Sequence, residues 1–134
     1  MDKRELQDRF IDFGARSIRI SRALPRSPFS YHVGLQLVRS ATSSGANYCE
    51  ACGAESRQDF AHKLQLTLKE LRETDYWLRL IARAELIMPG RLKDIMAEAN
   101  ELISICVAAV RTAKSRSDKG ASCDAPAHSK ISNQ

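Results

Sequence analysis

The segment from Ser56 to Arg83 contains neither glycine nor proline, and its large apolar residues recur three, four or seven positions apart. This spacing places them on one face of an α-helix, which turns once every 3.6 residues or so. Ser56 is predicted to cap this helix, and Asp59 lies where the helix dipole favours a carboxylate. The apolar face consists of Phe60, Leu64, Leu68, Leu71, Leu78 and Ile81. Such a helix is stable only when other elements cover that face.

The residues before this segment predict two further helices. The first covers residues 2–24, and the second runs from Ser30, its predicted N-cap, to near Gly53. Residues 25–30 include two prolines, which disfavour helix, and are predicted to be a connection. The predicted inward face of the first helix is Leu6, Phe10, Phe13, Ile20 and Leu24, widened by Ile11 and Ile18. That of the second is Tyr31, Leu35, Val38, Ala41, Gly45, Tyr48 and Cys52.

A fourth helix is predicted to follow Pro89 and Gly90 and to end near Ala113. Its apolar positions are Leu92, Ile95, Met96, Ala99, Leu102, Ile103, Cys106 and Val110. Residues 114–134 are rich in Ser, Lys, Ala and Asp, and Ile131 is their only large aliphatic residue. Because such a segment buries too little apolar surface to offset the entropy of ordering, we expect a disordered, basic and polar tail.

Four amphipathic helices with short connections share one core most simply as a bundle. The predicted fold is therefore all-α, an antiparallel up-down-up-down four-helix bundle. At 134 residues, the chain is long enough for one domain, which we assign to residues 1–113. The sequence shows neither a strand pattern nor an internal repeat.

Hydropathy and cysteine content predict a cytoplasmic protein. The longest largely apolar run, residues 102–110, is interrupted only by Ser104 and is far shorter than the roughly 20 residues that span a bilayer, so no membrane anchor is expected. The first residues are charged and then amphipathic, unlike a signal peptide. The four cysteines are accordingly expected to be reduced thiols.

Polar residues flank the apolar faces of the second and third helices at helical spacing. We predict a structural polar network in which Arg39 and Lys63 pair with Glu50, Glu70 or Glu73, since an unpaired charge there would be costly. The full predicted set is Arg39, Asn47, Glu50, Lys63, Glu70, Glu73 and Thr74. The alternative is a carboxylate metal site, but ferritin-type sites need two Glu-x-x-His pairs and this chain has none. No metal and no cofactor is therefore expected.

Catalytic patterns are weak in this sequence. Cys49 and Cys52 have the spacing of redox or zinc motifs, yet they supply half a zinc site and lie inside a predicted helix. Two small packing residues are the simpler interpretation. Neither a nucleophile beside a base nor a glycine-rich phosphate loop is evident. The sequence therefore favours a protein that is not an enzyme.

The strongest binding signal is basic. Arg16, Arg19, Arg22 and Arg26 follow one another three or four positions apart, at the end of the first helix and just beyond it. Such a strip can neutralise phosphates, and the net charge of +5 suits an anionic partner. A solvated helix face is the alternative interpretation. No recognised motif for reading bases is present.

Three linked motifs carry a family resemblance: residues 42–51 (TSSGANYCEA), residues 56–60 (SRQDF) with Lys63, and residues 69–78 (KELRETDYWL). Together they resemble the four-helix bundle protein family known from intervening sequences in bacterial large-subunit ribosomal RNA genes. The resemblance is close over the second and third helices and extends to the rest by layout. Many members carry basic residues at the turn between these helices, whereas this chain has Ala54 and Glu55.

The resemblance implies a bundle that assembles into a homopentamer without known catalytic activity. The accessory variability protein of diversity-generating retroelements resembles the same family and binds nucleic acid through a basic pentamer surface. We therefore expect a homo-oligomer, of five copies by resemblance, that binds RNA or DNA through the arginine strip. The alternatives are a protein-binding scaffold without a nucleic-acid role and, less simply, a small-molecule or metal site in the polar stripe.

Overall fold

The computed structural model describes the backbone of residues 1–132 and the side chains of residues 1–116. It contains four α-helices: α1 (Lys3–Ala23), α2 (Pro28–Cys52), α3 (Arg57–Arg83) and α4 (Lys93–Ser132). A short 3-10 turn, Pro89–Arg91, precedes α4. Each helix packs against its neighbours in sequence, and no strand occurs in the described part of the chain. The predicted all-α four-helix fold is confirmed.

Side-chain caps set where three of the helices begin. Asp2 and Glu5 form a capping box at α1, in which each side chain accepts a hydrogen bond from the other's backbone amide. Ser56 caps α3 as predicted, and its hydroxyl accepts the amide of Asp59 at 3.0 Å. The prediction for α2 was wrong, because Ser27 and not Ser30 is the N-cap. The helix can begin three residues earlier because Pro28 occupies its first turn, where a missing amide costs nothing.

The end of α3 is a Schellman motif built without glycine. Glu85 adopts a left-handed backbone with φ 57°, a conformation that usually requires glycine. The amide of Leu86 donates to the carbonyl of Ile81 at 3.1 Å, and the amide of Glu85 donates to the carbonyl of Ala82 at 3.1 Å. These two bonds satisfy the carbonyls of Ile81 and Ala82 near the end of α3 and turn the chain towards α4.

The core lies between all four helices. Its largest fully buried apolar side chains are Phe10, Phe13, Leu37, Leu64, Leu71, Leu78, Ile81, Leu92, Ile95 and Leu102. Ion pairs from Arg9 link α1 to α4, with Nε 3.1 Å from Glu98 Oε2 and Nη2 3.2 Å from Glu101 Oε1. These contacts join the first helix to the last one.

The predicted inward face of α2 was wrong in its first half. Tyr31 and Leu35 are 74% and 53% exposed, and Val33 and Leu37 point into the core instead. The true inward face also contains buried serines, among them Ser40, whose hydroxyl bonds the carbonyl of Leu37 in its own helix. Because such serines can be buried at little cost, a count of apolar residues alone selects the wrong side of this helix.

The fourth helix is longer than predicted. It was expected to end near Ala113, which is itself buried, and it continues to Ser132. Lys114 and Arg116 favour helix and no proline intervenes before them, so nothing in that stretch stops the helix. The predicted disordered tail, residues 114–134, falls mainly on residues 117–134, whose side-chain surroundings lie outside the described residues.

Candidate functional site

Arg39 on α2 is the centre of a polar cluster with α3. Its guanidinium pairs with Glu73 and, at 3.3 Å, with Glu70, and its Nε donates to Gln36 at 3.0 Å. The indole N–H of Trp77 donates to the same Glu73 carboxylate at 3.1 Å. Two carboxylates on successive turns of α3 are thus held by one cation from α2.

A buried hydroxyl pair lies beside this cluster. Thr74 Oγ1 is 2.9 Å from Ser40 Oγ and 2.8 Å from the carbonyl oxygen of Glu70. Both Thr74 and Ser40 are fully buried between α2 and α3. The contact joins two helices across the core, where each hydroxyl must find a partner.

The remaining residues of the predicted network form separate contacts. Lys63 Nζ lies 2.8 Å from Glu50 Oε2, and this carboxylate raises the pKa of Lys63. Asn47 donates from its side-chain nitrogen to the carbonyl of Ser43 at 2.9 Å, within its own helix. The structure therefore brings Arg39, Glu70, Glu73 and Thr74 together, places Lys63 and Glu50 in a second pair, and leaves Asn47 outside both. That these residues maintain fold and assembly stays a prediction.

The carboxylates of this region offer little to a metal ion. Glu70 and Glu73 share Arg39, and no group of three or more potential metal ligands occurs within residues 1–116. Cys49 is exposed, Cys52 is half-buried and Cys106 is buried. Burial raises the pKa of the Cys106 thiol to about 11, so this thiol stays protonated at neutral pH.

The arginine strip lies along the second half of α1 and past its end. Arg16 is half-buried, and Arg19, Arg22 and Arg26 are exposed. Among the described side chains, none of the four forms an ion pair. Their charges are therefore available to an outside anion.

Arg22 and Arg26 also line a cleft that sequence reasoning missed. We call it the arginine cleft; its volume is about 540 Å³, and it lies between the end of α1 and the start of α2. Its lining consists of Ile18, Ser21, Arg22, Leu24, Pro25, Arg26, Ser27, Ser30, Tyr31, Leu35 and Val38. It contains two cations and no carboxylate. The sequence offered a signal in Tyr31, an aromatic residue near these arginines, which was predicted to face inward and is exposed instead.

A second, apolar groove was also missed. It measures about 430 Å³ and lies between α1 and α2, nearer the middle of the bundle. We call it the apolar face; its lining consists of Phe10, Ile11, Gly14, Ala15, Ile18, Thr42, Gly45, Ala46 and Cys49. Ile11 is 62% exposed although it is aliphatic. The signal in the sequence is the low number of charged residues in α2, which are only Arg39 and Glu50. Both pair with α3, so the side of α2 at this groove carries no charge.

A smaller basic pocket of about 370 Å³ lies between α3 and α4. Lys69, Arg72 and Lys114 surround it, and Leu68 and Val110 supply its apolar lining. The sequence predicted Lys114 to begin the tail, whereas it lies within α4 beside α3. This pocket adds positive charge to the surface between α3 and α4.

The geometry can now be compared with known proteins. A family model described as "23S rRNA-intervening sequence protein" matches residues 3–108. The chain belongs to this family. The 23S rRNA-intervening sequence protein model thus covers all of α1 to α3 and α4 as far as residue 108. No curated protein matches the chain.

A solved structure supports the same assignment of fold and family. The chain is similar to a protein of unknown function from the S23 ribosomal protein family of Bacteroides thetaiotaomicron. The two are 32% identical, the match covers 83% of this chain and 99% of that one, and the TM-score is 0.76. In the described part of the chain, none of the helices is both long and apolar enough to cross a membrane.

Proposed function

We propose that this member of the 23S rRNA-intervening sequence protein family is a non-catalytic, self-assembling bundle that binds RNA or another nucleic acid in the cytoplasm. The observation that carries the proposal is the strip of Arg16, Arg19, Arg22 and Arg26, which forms no ion pair within the described residues. Phosphates are the natural partners of such a strip. The family description, which names a ribosomal RNA, favours nucleic acid over other anions.

Self-association is supported by the apolar face between α1 and α2. Its exposed aliphatic residue Ile11 has small neighbours, Ala15 and Ala46, which permit close approach of another helix. The two charged side chains of α2 both pair with α3, so removing water from this face would leave no charge of α2 without a partner. A second copy of the chain is the occupant we propose, in an assembly of five copies as the family resemblance implies.

A mobility-shift assay in a salt series tests nucleic-acid binding. Phosphate contacts predict an affinity that falls linearly on a log-log plot against salt, and each arginine lost should lower the slope by about one. The triple variant replaces Arg16, Arg19 and Arg22 by Ala. A matched control removes the same charge from the opposite end of the bundle, by replacing Lys3, Arg4 and Arg57 by Ala.

The expected result is weaker binding by the strip variant and little change in the control beyond a small loss of non-specific attraction. Equal losses in both variants would show that net charge, not the strip, attracts the ligand. No binding by the native chain at low salt would remove the nucleic-acid proposal and favour a protein-binding scaffold.

Self-association is tested by sedimentation equilibrium. The native chain should sediment at five times its own mass of 15.0 kDa. Ile11→Glu, which places a charge on the apolar face, should reduce the mass towards that of one chain. Met88→Glu is the control, since Met88 is 75% exposed on the connection between α3 and α4. A native chain that sediments as a monomer, or equal dissociation of both variants, would contradict the proposed interface.

A further inference from the structure

The arginine cleft combines two surfaces with different chemistry. Its floor is apolar and includes Ile18, Leu24 and Val38, whereas Arg22 and Arg26 supply positive charge to the same lining. Its volume of about 540 Å³ lies in the range of small-molecule sites. This lining favours a ligand that carries both an apolar part and a negative charge.

Tyr31 supplies an aromatic surface in this cleft. Its side chain is 74% exposed, which is unusual for a residue in an ordered helix turn next to an apolar floor. The turn is held by the Ser27 cap and by Pro28 in the first turn of α2. Because the backbone is fixed and a tyrosine has few rotamers, little entropy would be lost on stacking a ring against it.

Ser30 gives an independent sign of a ligand. It lines the cleft and is only 3% exposed, yet its hydroxyl has no hydrogen-bond partner. Within residues 1–116 it is the only buried side-chain oxygen or nitrogen without one. The neighbouring buried serines Ser17, Ser40 and Ser44 each bond a carbonyl of their own helix. Buried polar groups are nearly always satisfied, so the Ser30 hydroxyl lacks a partner that the polar edge of a ligand can supply once the side chains covering its oxygen move aside.

We propose that the arginine cleft binds an unpaired base of a single-stranded nucleic acid. The base stacks on Tyr31 above the apolar floor, its edge meets the Ser30 hydroxyl, and Arg22 and Arg26 contact the flanking phosphates. A duplex keeps its bases stacked inside and offers no ring face to Tyr31. The inference rests on the proposed nucleic-acid function and names single-stranded nucleic acid as the class that the arginine cleft selects.

The test compares three ligands of one length: a single-stranded RNA, its duplex, and an abasic ribose-phosphate chain with the same charge. The native protein should bind the single strand more tightly than the abasic chain. Tyr31→Ala should weaken binding of the single strand about tenfold or more and leave binding of the abasic chain unchanged. Ser30→Ala should weaken binding of the single strand by a smaller factor. Tyr76→Ala, an exposed tyrosine on α3, is the control.

Each result distinguishes the inference from the function on which it rests. Equal losses on the single strand and the abasic chain, or no loss, would overturn the stacking role while leaving phosphate binding intact. A native protein that prefers the duplex would overturn it as well. A Tyr31→Ala variant with altered sedimentation mass would instead assign Tyr31 to assembly. No binding of any of the three ligands would remove the proposed function itself.

Discussion

Replacing Thr74 by Val should expose the value of the hydroxyl contact between α2 and α3. Thr74 Oγ1 lies 2.9 Å from Ser40 Oγ in a fully buried position. Valine keeps the shape of threonine, so the substitution removes a hydrogen bond without opening a cavity. We expect a loss of about 1 kcal/mol in the free energy of unfolding, because Ser40 retains the Leu37 carbonyl as a partner and is not orphaned.

A double-mutant cycle with Ser40→Ala gives the pairwise energy. Each single variant should lose about 1 kcal/mol, and the double variant should lose about 0.5–1 kcal/mol less than the sum. Ser44→Ala is the matched control, because Ser44 is buried on the same helix and bonds the carbonyl of Ala41 at 2.6 Å instead of Thr74. Its combination with Thr74→Val should be additive.

Urea denaturation, followed by circular dichroism at one fixed protein concentration, measures these energies. Fixed concentration matters because the proposed self-association would add to the apparent stability. A loss of about 1 kcal/mol lowers the urea midpoint by about 0.3–1 M for a chain of this size. If the Ser40 cycle is as additive as the Ser44 cycle, the hydroxyl contact contributes nothing and the reasoning fails.

Three further outcomes follow from named contacts. Gly34→Ala should gain little of the roughly 1 kcal/mol that alanine normally brings to a helix interior, because its Cβ would meet Ser21 Oγ at 2.6 Å and Leu24 Cδ1 at 3.1 Å, whereas Gly90→Ala meets nothing within 4 Å and should be nearly neutral; a urea midpoint for Gly34→Ala raised as far as helix propensity alone predicts would contradict this. Arg9→Met should cost about 1–2 kcal/mol by removing the ion pairs between α1 and α4, and an unchanged midpoint would show that they are dispensable. With the other three cysteines replaced by Ser, Cys106 should react with an aromatic disulfide reagent at pH 8 only as fast as the chain unfolds. The reason is that its side chain is 1% exposed and burial raises its pKa to about 11. Rapid labelling of the folded chain would contradict this burial.

Much of the fold could be predicted because apolar residues recur at helical spacing in α1, α3 and α4. Glycine and proline separated these helices, and Ser56 carried a recognisable cap. The pairing of Arg39 with carboxylates of α3 could also be predicted, since opposite charges lie on two faces that must meet. These features depend on local periodicity, which one sequence displays in full.

The features that escaped prediction depend on which side of a helix is buried. In α2 the inward positions include Ser40 and Ser44, so a search for apolar residues finds the outward residues Tyr31 and Leu35 instead. The Schellman motif at Glu85 was missed because its left-handed position is not a glycine. The arginine cleft depends on how closely the ends of α1 and α2 approach, a distance that spacing along one helix does not contain.

The distribution of charge on α2 separates two properties that usually change together. Its two formal charges both pair with α3, so the ionic contacts of this helix lie on the side that packs within the bundle. The exposed members of the apolar face, such as Ile11 and Ala46, contribute little to the stability of one chain, and substitutions at them can accumulate without unfolding it. With the proposed interface, a lineage could therefore lose, regain or redirect its quaternary structure through this one surface while the tertiary structure stayed the same.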